Sequence, residues 1–157
     1  MKKLLFFFAI ALTTTHGYAQ EQGDIRIQAG SDYGYRSELF GVNLGGEYFV
    51  DKRTSFAPNF TIYLPEYGGA SSLNLDLRYY FTEGTLQWYG LAGFTNNWLK
   101  VEFTYGSRRT SSRKGANIGA GGVLKFAEYF AFNPEIKLQA QNRGQGVFRL
   151  GMVYFVS

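Results

Sequence analysis

Apolar and polar residues alternate along most of this chain with a period of two. The segment 72–81 shows the pattern clearly, because its alternate positions form one apolar set and one polar set. The apolar set is Leu73, Leu75, Leu77, Tyr79 and Phe81, and the polar set is Asn74, Asp76, Arg78 and Tyr80. Successive side chains of a β-strand point to opposite faces, so the segment is predicted to be a strand with one apolar and one charged face.

The same period predicts eight strands and no helix after the N-terminal segment. The predicted strands span 24–34, 40–50, 54–64, 72–81, 86 to about 105, 115–126, 130–141 and 146–156. The facing of the fifth strand stays open, because Trp88 with Phe94 or Tyr89 with Leu91 could form its outer face. Connections at one end are expected to be short, and two at the other end, 65–71 and 97–114, to be longer. An even strand count with this asymmetry is typical of an outer-membrane barrel.

The N-terminus reads as a secretory signal peptide over residues 1–19. Lys2 and Lys3 precede an uncharged apolar run over 4–12, and small residues lead to a cleavage site after Ala19. The apolar run is shorter than the ~20 residues of a spanning helix. Lys2 and Lys3 also supply two of the four formal net positive charges, so the basic balance is a weak argument for nucleic-acid binding.

Aromatic residues are concentrated near the predicted short turns. They are Tyr48, Phe56, Phe81, Trp88, Phe126, Phe130 and Tyr154. Amphipathic rings favour the boundary between membrane and water, so these positions resemble an aromatic girdle. The last strand alternates up to Val156, as the final strand of a bacterial barrel does, although its aromatic residue is displaced from the end. Pro58 is a misfit in a closed barrel and is expected to lie at a bulge or a late strand start.

From residues 24 to 156 the chain resembles the small eight-stranded outer-membrane β-barrel proteins of the OmpA/OmpX type, which are porin-like. The resemblance implies an all-β, eight-stranded antiparallel up-and-down transmembrane β-barrel over residues 20–157. It also implies location in a Gram-negative outer membrane and contact with its lipid and lipopolysaccharide. Periplasmic chaperones and the barrel-assembly machinery are the implied partners during biogenesis. The barrel is expected to be a monomer.

If the polar face points inward, eight charged residues are predicted to form a lumen network. They are Arg26, Glu47, Asp76, Arg78, Lys125, Glu135, Lys137 and Arg149. An eight-stranded barrel is only wide enough for its side chains to fill it, and buried charges must pair or be solvated. The network is therefore predicted to fill the interior, which argues against a general diffusion pore. A narrow ion path is the alternative interpretation.

The residue inventory argues against catalysis. The single histidine, His16, lies within the predicted signal peptide, and the chain has no cysteine. Histidine-dependent triads, cysteine nucleophiles and zinc sites built on these residues are therefore unavailable to the mature protein. A carboxylate pair such as Asp76 with Glu135 is possible, but cationic neighbours favour ion pairing. No enzyme activity, metal, cofactor or nucleic-acid partner is predicted.

The longest predicted connection, 97–114, carries a cationic segment. Its tip is predicted to span Gly106–Lys114, with Arg108, Arg109, Arg113 and Lys114 among serines and threonines. Guanidinium groups bind oxyanions bidentately, so a projecting hairpin could contact lipopolysaccharide phosphates or acidic glycans. A solvated loop without a partner is the equally open alternative.

Three functions follow from these patterns. The first is a non-enzymatic integral outer-membrane barrel with a filled lumen that contributes to envelope structure or cell-surface interaction. The second is a narrow porin-like channel. The third is a soluble periplasmic lipocalin-like carrier with the apolar face turned inward.

Overall fold

The computed structural model describes residues 20–66, 68–102, 108–141 and 144–156, without the side chains of 101, 102 and 108. Its eight strands are β1 (Ile25–Gly34), β2 (Leu39–Phe49), β3 (Thr54–Tyr63), β4 (Gly69–Tyr80), β5 (Leu86–Glu102), β6 (Arg108–Lys125), β7 (Phe130–Ala140) and β8 (Gln145–Phe155). The predicted signal peptide, 1–19, lies outside the described residues. Within them there is no helix of the length and apolarity that crossing a membrane requires.

The strands form a closed antiparallel barrel in which each strand pairs with its neighbours in sequence. β1 and β8 close the cylinder, with Arg26 opposite Phe155 and Gly34 opposite Val147. Closure removes the free sheet edges that would otherwise pair with other chains. The predicted fold class is confirmed.

The barrel is apolar outside and polar inside. On β4, Leu77 and Tyr79 point outward with about half of their surface exposed, whereas Asp76 and Arg78 are fully buried. The sequence left open which face of β5 points outward. Trp88 is exposed and Tyr89 is buried, so the face that carries Trp88 is the outer one. The soluble carrier alternative required the apolar face to line the interior. The interior is lined mainly by polar and charged residues instead, so this prediction is wrong.

The two ends of the barrel differ in strand length rather than in loop length. The strand bounds leave four or five residues between consecutive strands at both ends. The expected contrast between short turns and long loops is therefore wrong. Instead β5 and β6, with 17 and 18 residues, extend beyond the other strands as a hairpin. We call this end the hairpin end. The opposite end, with connections 50–53, 81–85 and 126–129, is called the short-turn end after the turns predicted there, although its connections are no shorter.

Both prolines in the strands lie where one hydrogen-bonded ladder is interrupted without a shift in register. Pro58 pairs with Leu75 of β4. The β2–β3 ladder is interrupted at Pro58, but the flanking pairs Gly45↔Asn59 and Tyr48↔Phe56 keep the same register. Pro134 pairs with Leu150 of β8, while the β6–β7 ladder is interrupted beside it. Because proline has no N–H, the chain loses ladder bonds on one side only. The expected bulge or late strand start at Pro58 is therefore wrong.

Exposed aromatic rings surround the short-turn end. The seven residues predicted for this girdle all point outward, with 38–60% of their surface exposed. Several contact neighbouring rings there: the Phe130 and Tyr154 centroids lie 5.3 Å apart, and those of Phe126 and Phe132 4.6 Å apart. This end of the outer wall therefore has the composition of a membrane–water boundary.

Candidate functional site

The lumen holds eight charged side chains among the described residues, each 2% exposed or less. Four are cations and four are anions, so their formal charges cancel. They are Arg26, Arg78, Lys137 and Arg149, with Asp32, Glu47, Asp76 and Glu135. A buried charge is tolerated when it is paired and hydrogen-bonded, and this equality allows every member to be paired.

Near the short-turn end, Arg78 bridges two carboxylates. Its Nη1 lies 3.3 Å from Glu47 Oε2, and its Nη2 donates to Glu135 Oε2 at 2.7 Å. Arg26 lies 3.9 Å from the same Glu47 oxygen. The hydroxyl of Tyr80 donates to Glu47 Oε1 at 2.7 Å. These contacts join β1, β2, β3, β4 and β7 through the interior, since Ser55 of β3 also donates to Glu47.

Glu135 connects this group to the charges nearer the hairpin end. Its Oε1 lies 3.4 Å from Lys137 Nζ and 3.2 Å from Arg149 Nη1. Lys137 also contacts Asp76 at 3.2 Å. Arg149 binds both oxygens of Asp32, at 2.7 and 3.0 Å. The eight charges therefore form one connected network of opposite signs, which branches at Glu135.

Amide side chains fill the spaces between the ions. Asn117 donates to Asp76 Oδ1 at 2.7 Å and to Asn74 Oδ1 at 3.0 Å. Asn59 accepts from Arg149 Nη2 at 2.8 Å. Gln139 donates to Asn74 at 3.1 Å. These bonds satisfy groups that the ion pairs leave open, so the interior is a polar packed core.

An apolar layer crosses the lumen at the short-turn end. Six of the eight strands contribute to it, and its members pack together with little or no exposure: Phe49, Tyr80, Tyr89, Leu91, Val123, Ala131 and Val153. The Arg26 guanidinium lies 4.4 Å from the centroid of Phe49 and 4.8 Å from that of Phe155. The carbon surfaces of these side chains cannot hydrate an ion, although the hydroxyls of Tyr80 and Tyr89 donate to Glu47 and Glu135. The layer therefore places mainly apolar surface across this end of the lumen.

Glycines on the inner wall leave room for the charged side chains. A Cβ atom added to Gly119 would overlap the Ile136 carbonyl and would approach the Cβ of Lys137 to 2.7 Å. At Gly93 it would overlap Asp76. The inner wall therefore has no side chain at Gly119 and Gly93, the positions that face Lys137 and Asp76.

Gly119→Ala should destabilise the barrel by about 1–3 kcal/mol, because the added methyl group displaces the β7 backbone or Lys137. The matched control is Gly46→Ala on β2, where the nearest atom would lie at an ordinary 3.7 Å. That substitution should be neutral or stabilising by up to about 1 kcal/mol, since alanine restricts the unfolded chain. Urea unfolding in lipid vesicles measures both variants, and equal midpoints would contradict the close approach at Gly119.

The structure places seven of the eight predicted lumen charges inside the barrel. Lys125 differs, since it is half-buried at the short-turn mouth with its Nζ 4.6 Å from the centroid of the Phe155 ring. Sequence reasoning left out Asp32, the bidentate partner of Arg149, although the period of two put it on the polar face. The alternation places Tyr80 on the polar face and leaves the facing of Tyr89 open, but it predicts neither as a hydrogen-bond donor in the lumen.

The predicted cationic tip is not a tip in the structure. Arg109, Arg113 and Lys114 lie on β6, which is paired with β5 from Glu102↔Arg108 onward. The true connection, 103–107, and the side chain of Arg108 lie outside the described residues. Because Asn117 points inward, alternation puts Arg109 and Arg113 on the lumen side of the hairpin and Lys114 on the opposite side. The three residues whose side chains are described, Arg109, Arg113 and Lys114, therefore do not share one face.

The projecting part of β6 is exposed and lacks a β7 partner. Its ladder with β7 reaches only to Ala116↔Ala140, so 108–115 continue beyond that strand. Eight residues of strand correspond to roughly 25 Å. The described residues from 109 to 114 are all exposed. The hairpin end thus presents cations to solvent on two faces.

The carboxylate pair considered for catalysis is engaged with a cation. Lys137 lies between Asp76 and Glu135, and both carboxyl groups are buried. A substrate would have to displace this network to reach either group. Among the described residues, no cluster of acidic or histidine side chains has the grouping that a metal ion needs.

Comparison with known proteins gives structural relatives only. No family model matches the chain, and no curated protein matches it by sequence. The N-terminal β-barrel domain of OprF from Pseudomonas aeruginosa superposes with a TM-score of 0.73 at 24% identity, covering 87% of this chain and 99% of that one. The attachment invasion locus protein Ail of Yersinia pestis, in complex with the heparin analogue sucrose octasulfate, gives 0.67 at 17% identity, covering 85% and 99%.

Neisserial surface protein A has the same architecture, with a TM-score of 0.65 at 14% identity over 85% of this chain and 97% of that one. Identities at this level establish the fold. The resemblance to small eight-stranded outer-membrane barrels is confirmed in that respect.

Proposed function

We propose that this chain is an integral outer-membrane barrel with a sealed, charge-neutral lumen, which acts without catalysis in envelope structure or cell-surface interaction. The single observation that carries the proposal is the inverted polarity of the barrel. Charged side chains are buried inside, and large apolar side chains are exposed over the whole outer wall. In water this arrangement would expose a continuous apolar surface, whereas in a bilayer the same surface meets lipid.

The length of the strands supports the same proposal. Six strands have 10–12 residues, and a tilted strand of ~9–11 residues crosses a bilayer. The aromatic girdle at the short-turn end would then lie at one interface, and the hairpin would project from the other. Lipopolysaccharide contact and assembly by periplasmic chaperones and the barrel-assembly machinery are part of this proposal.

The state of the lumen favours a structural role over general diffusion. The ion pairs are connected, the net buried charge is zero, and the apolar layer joins six strands. A narrow channel is the second candidate, favoured by buried polar atoms without a hydrogen-bond partner, including Arg26 Nε and Arg78 Nε. Such atoms mark places where water could enter the network.

The location is tested by cell fractionation followed by electrophoresis with and without boiling. We expect the mature protein in the outer membrane, with a folded band that migrates differently from the boiled one because the barrel resists detergent. A soluble periplasmic band with no shift on heating would refute the proposed membrane location.

Planar-bilayer recordings then decide between the sealed barrel and the channel. The purified protein should insert without producing stepwise conductance, because the apolar layer and the paired charges leave ions no hydrated path. The matched variant is Tyr89→Ala, which removes a ring of the apolar layer and a hydroxyl that donates to Glu135 at 2.7 Å. If the layer blocks ions, this variant should conduct under conditions in which the unmodified protein does not. Steady conductance steps from the unmodified protein would favour the channel.

A further inference from the structure

The outer wall changes from apolar to cationic at the hairpin end of β4 and β5. Successive outward-facing pairs of these two strands are Leu75↔Phe94, Leu73↔Asn96, Ser71↔Trp98 and Gly69↔Lys100. From Leu75 to Gly69 the change extends over roughly 20 Å of strand. Tryptophan is enriched at membrane–water interfaces, and lysine keeps its charged head in water. This part of the wall therefore has the composition of a membrane boundary.

A groove follows this boundary over β4. Ser71 pairs with Ile62 of β3 on one side and with Trp98 of β5 on the other, so a small side chain lies between two large ones. Next to Ser71 on the same face is Gly69, where an added Cβ atom would have the Cβ of Lys100 as its nearest neighbour, 4.0 Å away. These five residues line one cavity on the outer wall. We call them the β4 groove.

The groove has an unpaired cation at its outer end. Lys100 forms no ion pair or side-chain hydrogen bond within the part of the chain that the structure describes. The described residues that line the cavity include no carboxylate. Lys114 also points outward, but it lies on β6 opposite Asn96, on the far side of Trp98 from the groove. The groove therefore combines apolar sides with one available positive charge.

We propose that the β4 groove binds lipid A, the phosphorylated and acylated anchor of lipopolysaccharide, with an acyl chain between Ile62 and Trp98 and a phosphate at Lys100. Close packing, rather than the exclusion of water, holds apolar groups together in lipid, and a groove offers an acyl chain more contacts than a flat wall. An ammonium group attracts phosphate at the membrane surface. The proposal deepens the proposed function and rests on it, because only an outer-leaflet position brings lipopolysaccharide to the hairpin end.

Native mass spectrometry of the folded protein in detergent micelles measures how many lipid molecules bind and with what affinity. The probes are phosphorylated lipid A, the same lipid without its phosphates, and phosphatidylglycerol. Lys100→Gln should weaken binding of phosphorylated lipid A about tenfold, since it removes a charge-assisted contact. Lys114→Gln removes the same charge from the same face of the hairpin, outside the groove, and should change the affinity less than about twofold.

Ser71→Leu tests the shape of the groove without changing its charge. The leucine should fill the space between Ile62 and Trp98 and weaken lipid A binding about threefold, because the acyl chain loses its contacts there. Ala140→Leu is the matched control, since it adds the same side chain at an exposed outward position of β7 and should leave the affinity unchanged. Both variants should keep the heat-modifiable folded band, because leucine suits a lipid-facing wall.

Equal losses in Lys100→Gln and Lys114→Gln would indicate diffuse charge attraction and overturn the site, as would an unchanged affinity in Ser71→Leu. Equally tight binding of phosphatidylglycerol or of the lipid without phosphates would overturn the assignment to lipid A. None of these results touches the proposed function, which fractionation tests. A soluble periplasmic band would refute that function whatever binds in micelles.

Discussion

Leu150→Arg should destabilise the barrel in phospholipid vesicles by about 2–4 kcal/mol, the cost of arginine on the lipid face at the bilayer midplane. Leu150 is the middle residue of β8, points outward and is 51% exposed. In water, arginine at such an exposed position would change the free energy of unfolding by no more than about 0.5 kcal/mol. The substitution therefore measures the medium that surrounds the outer wall.

The matched control is Thr110→Arg, at an exposed outward position on the projecting hairpin. There the new side chain lies in water beyond the bilayer, so the unfolding midpoint should match that of the unmodified protein. Reversible urea unfolding in vesicles, followed by tryptophan fluorescence, provides both values. Equal stability of Leu150→Arg and the unmodified protein would contradict a lipid-facing wall.

Glu135→Gln should cost about 3–5 kcal/mol, as expected when one partner of a buried ionic network is removed. Glu135 contacts three cations: Arg78 at 2.7 Å, Arg149 at 3.2 Å and Lys137 at 3.4 Å. Its amide replacement would leave four buried cations with three anions in a lumen that is otherwise neutral. The heat-modifiable band should unfold at a lower temperature, or the refolding yield from urea should fall.

Glu128→Gln is the control for the loss of one carboxylate. Glu128 is exposed in the connection 126–129, so its replacement should leave stability within about 0.5 kcal/mol of the original. If Glu135→Gln were equally harmless, the lumen network would be hydrated rather than buried, and the narrow channel would become the better function.

The sequence predicted strands best where one face of the strand is apolar. β4 shows this, because its outward leucines and inward charges follow the period of two from Leu73 to Tyr80. The outer half of β6 shows the opposite. The residues from 109 to 114 are polar and exposed on both faces, and their strand structure depends on pairing with β5. A strand without an apolar face carries no alternation for the sequence to reveal.

The candidate sites divide in the same way. Polar alternation indicated which charges share the inner face, but it contained no information about which of them touch. Asp32 and Arg149 are 117 residues apart and form a bidentate pair because β1 and β8 close the barrel with these residues opposite each other.

By itself, the sequence determined the number of strands, the two faces of most of them, and the lack of histidine and cysteine in residues 20–157. These are local properties, since the direction of a side chain along a strand alternates with each residue. The tertiary structure alone decided that the apolar face is outside, that β5 turns Trp88 outward and Tyr89 inward, and that the buried charges balance. Those properties depend on how the chain closes, because closure fixes which distant strands are neighbours and which face encloses the lumen.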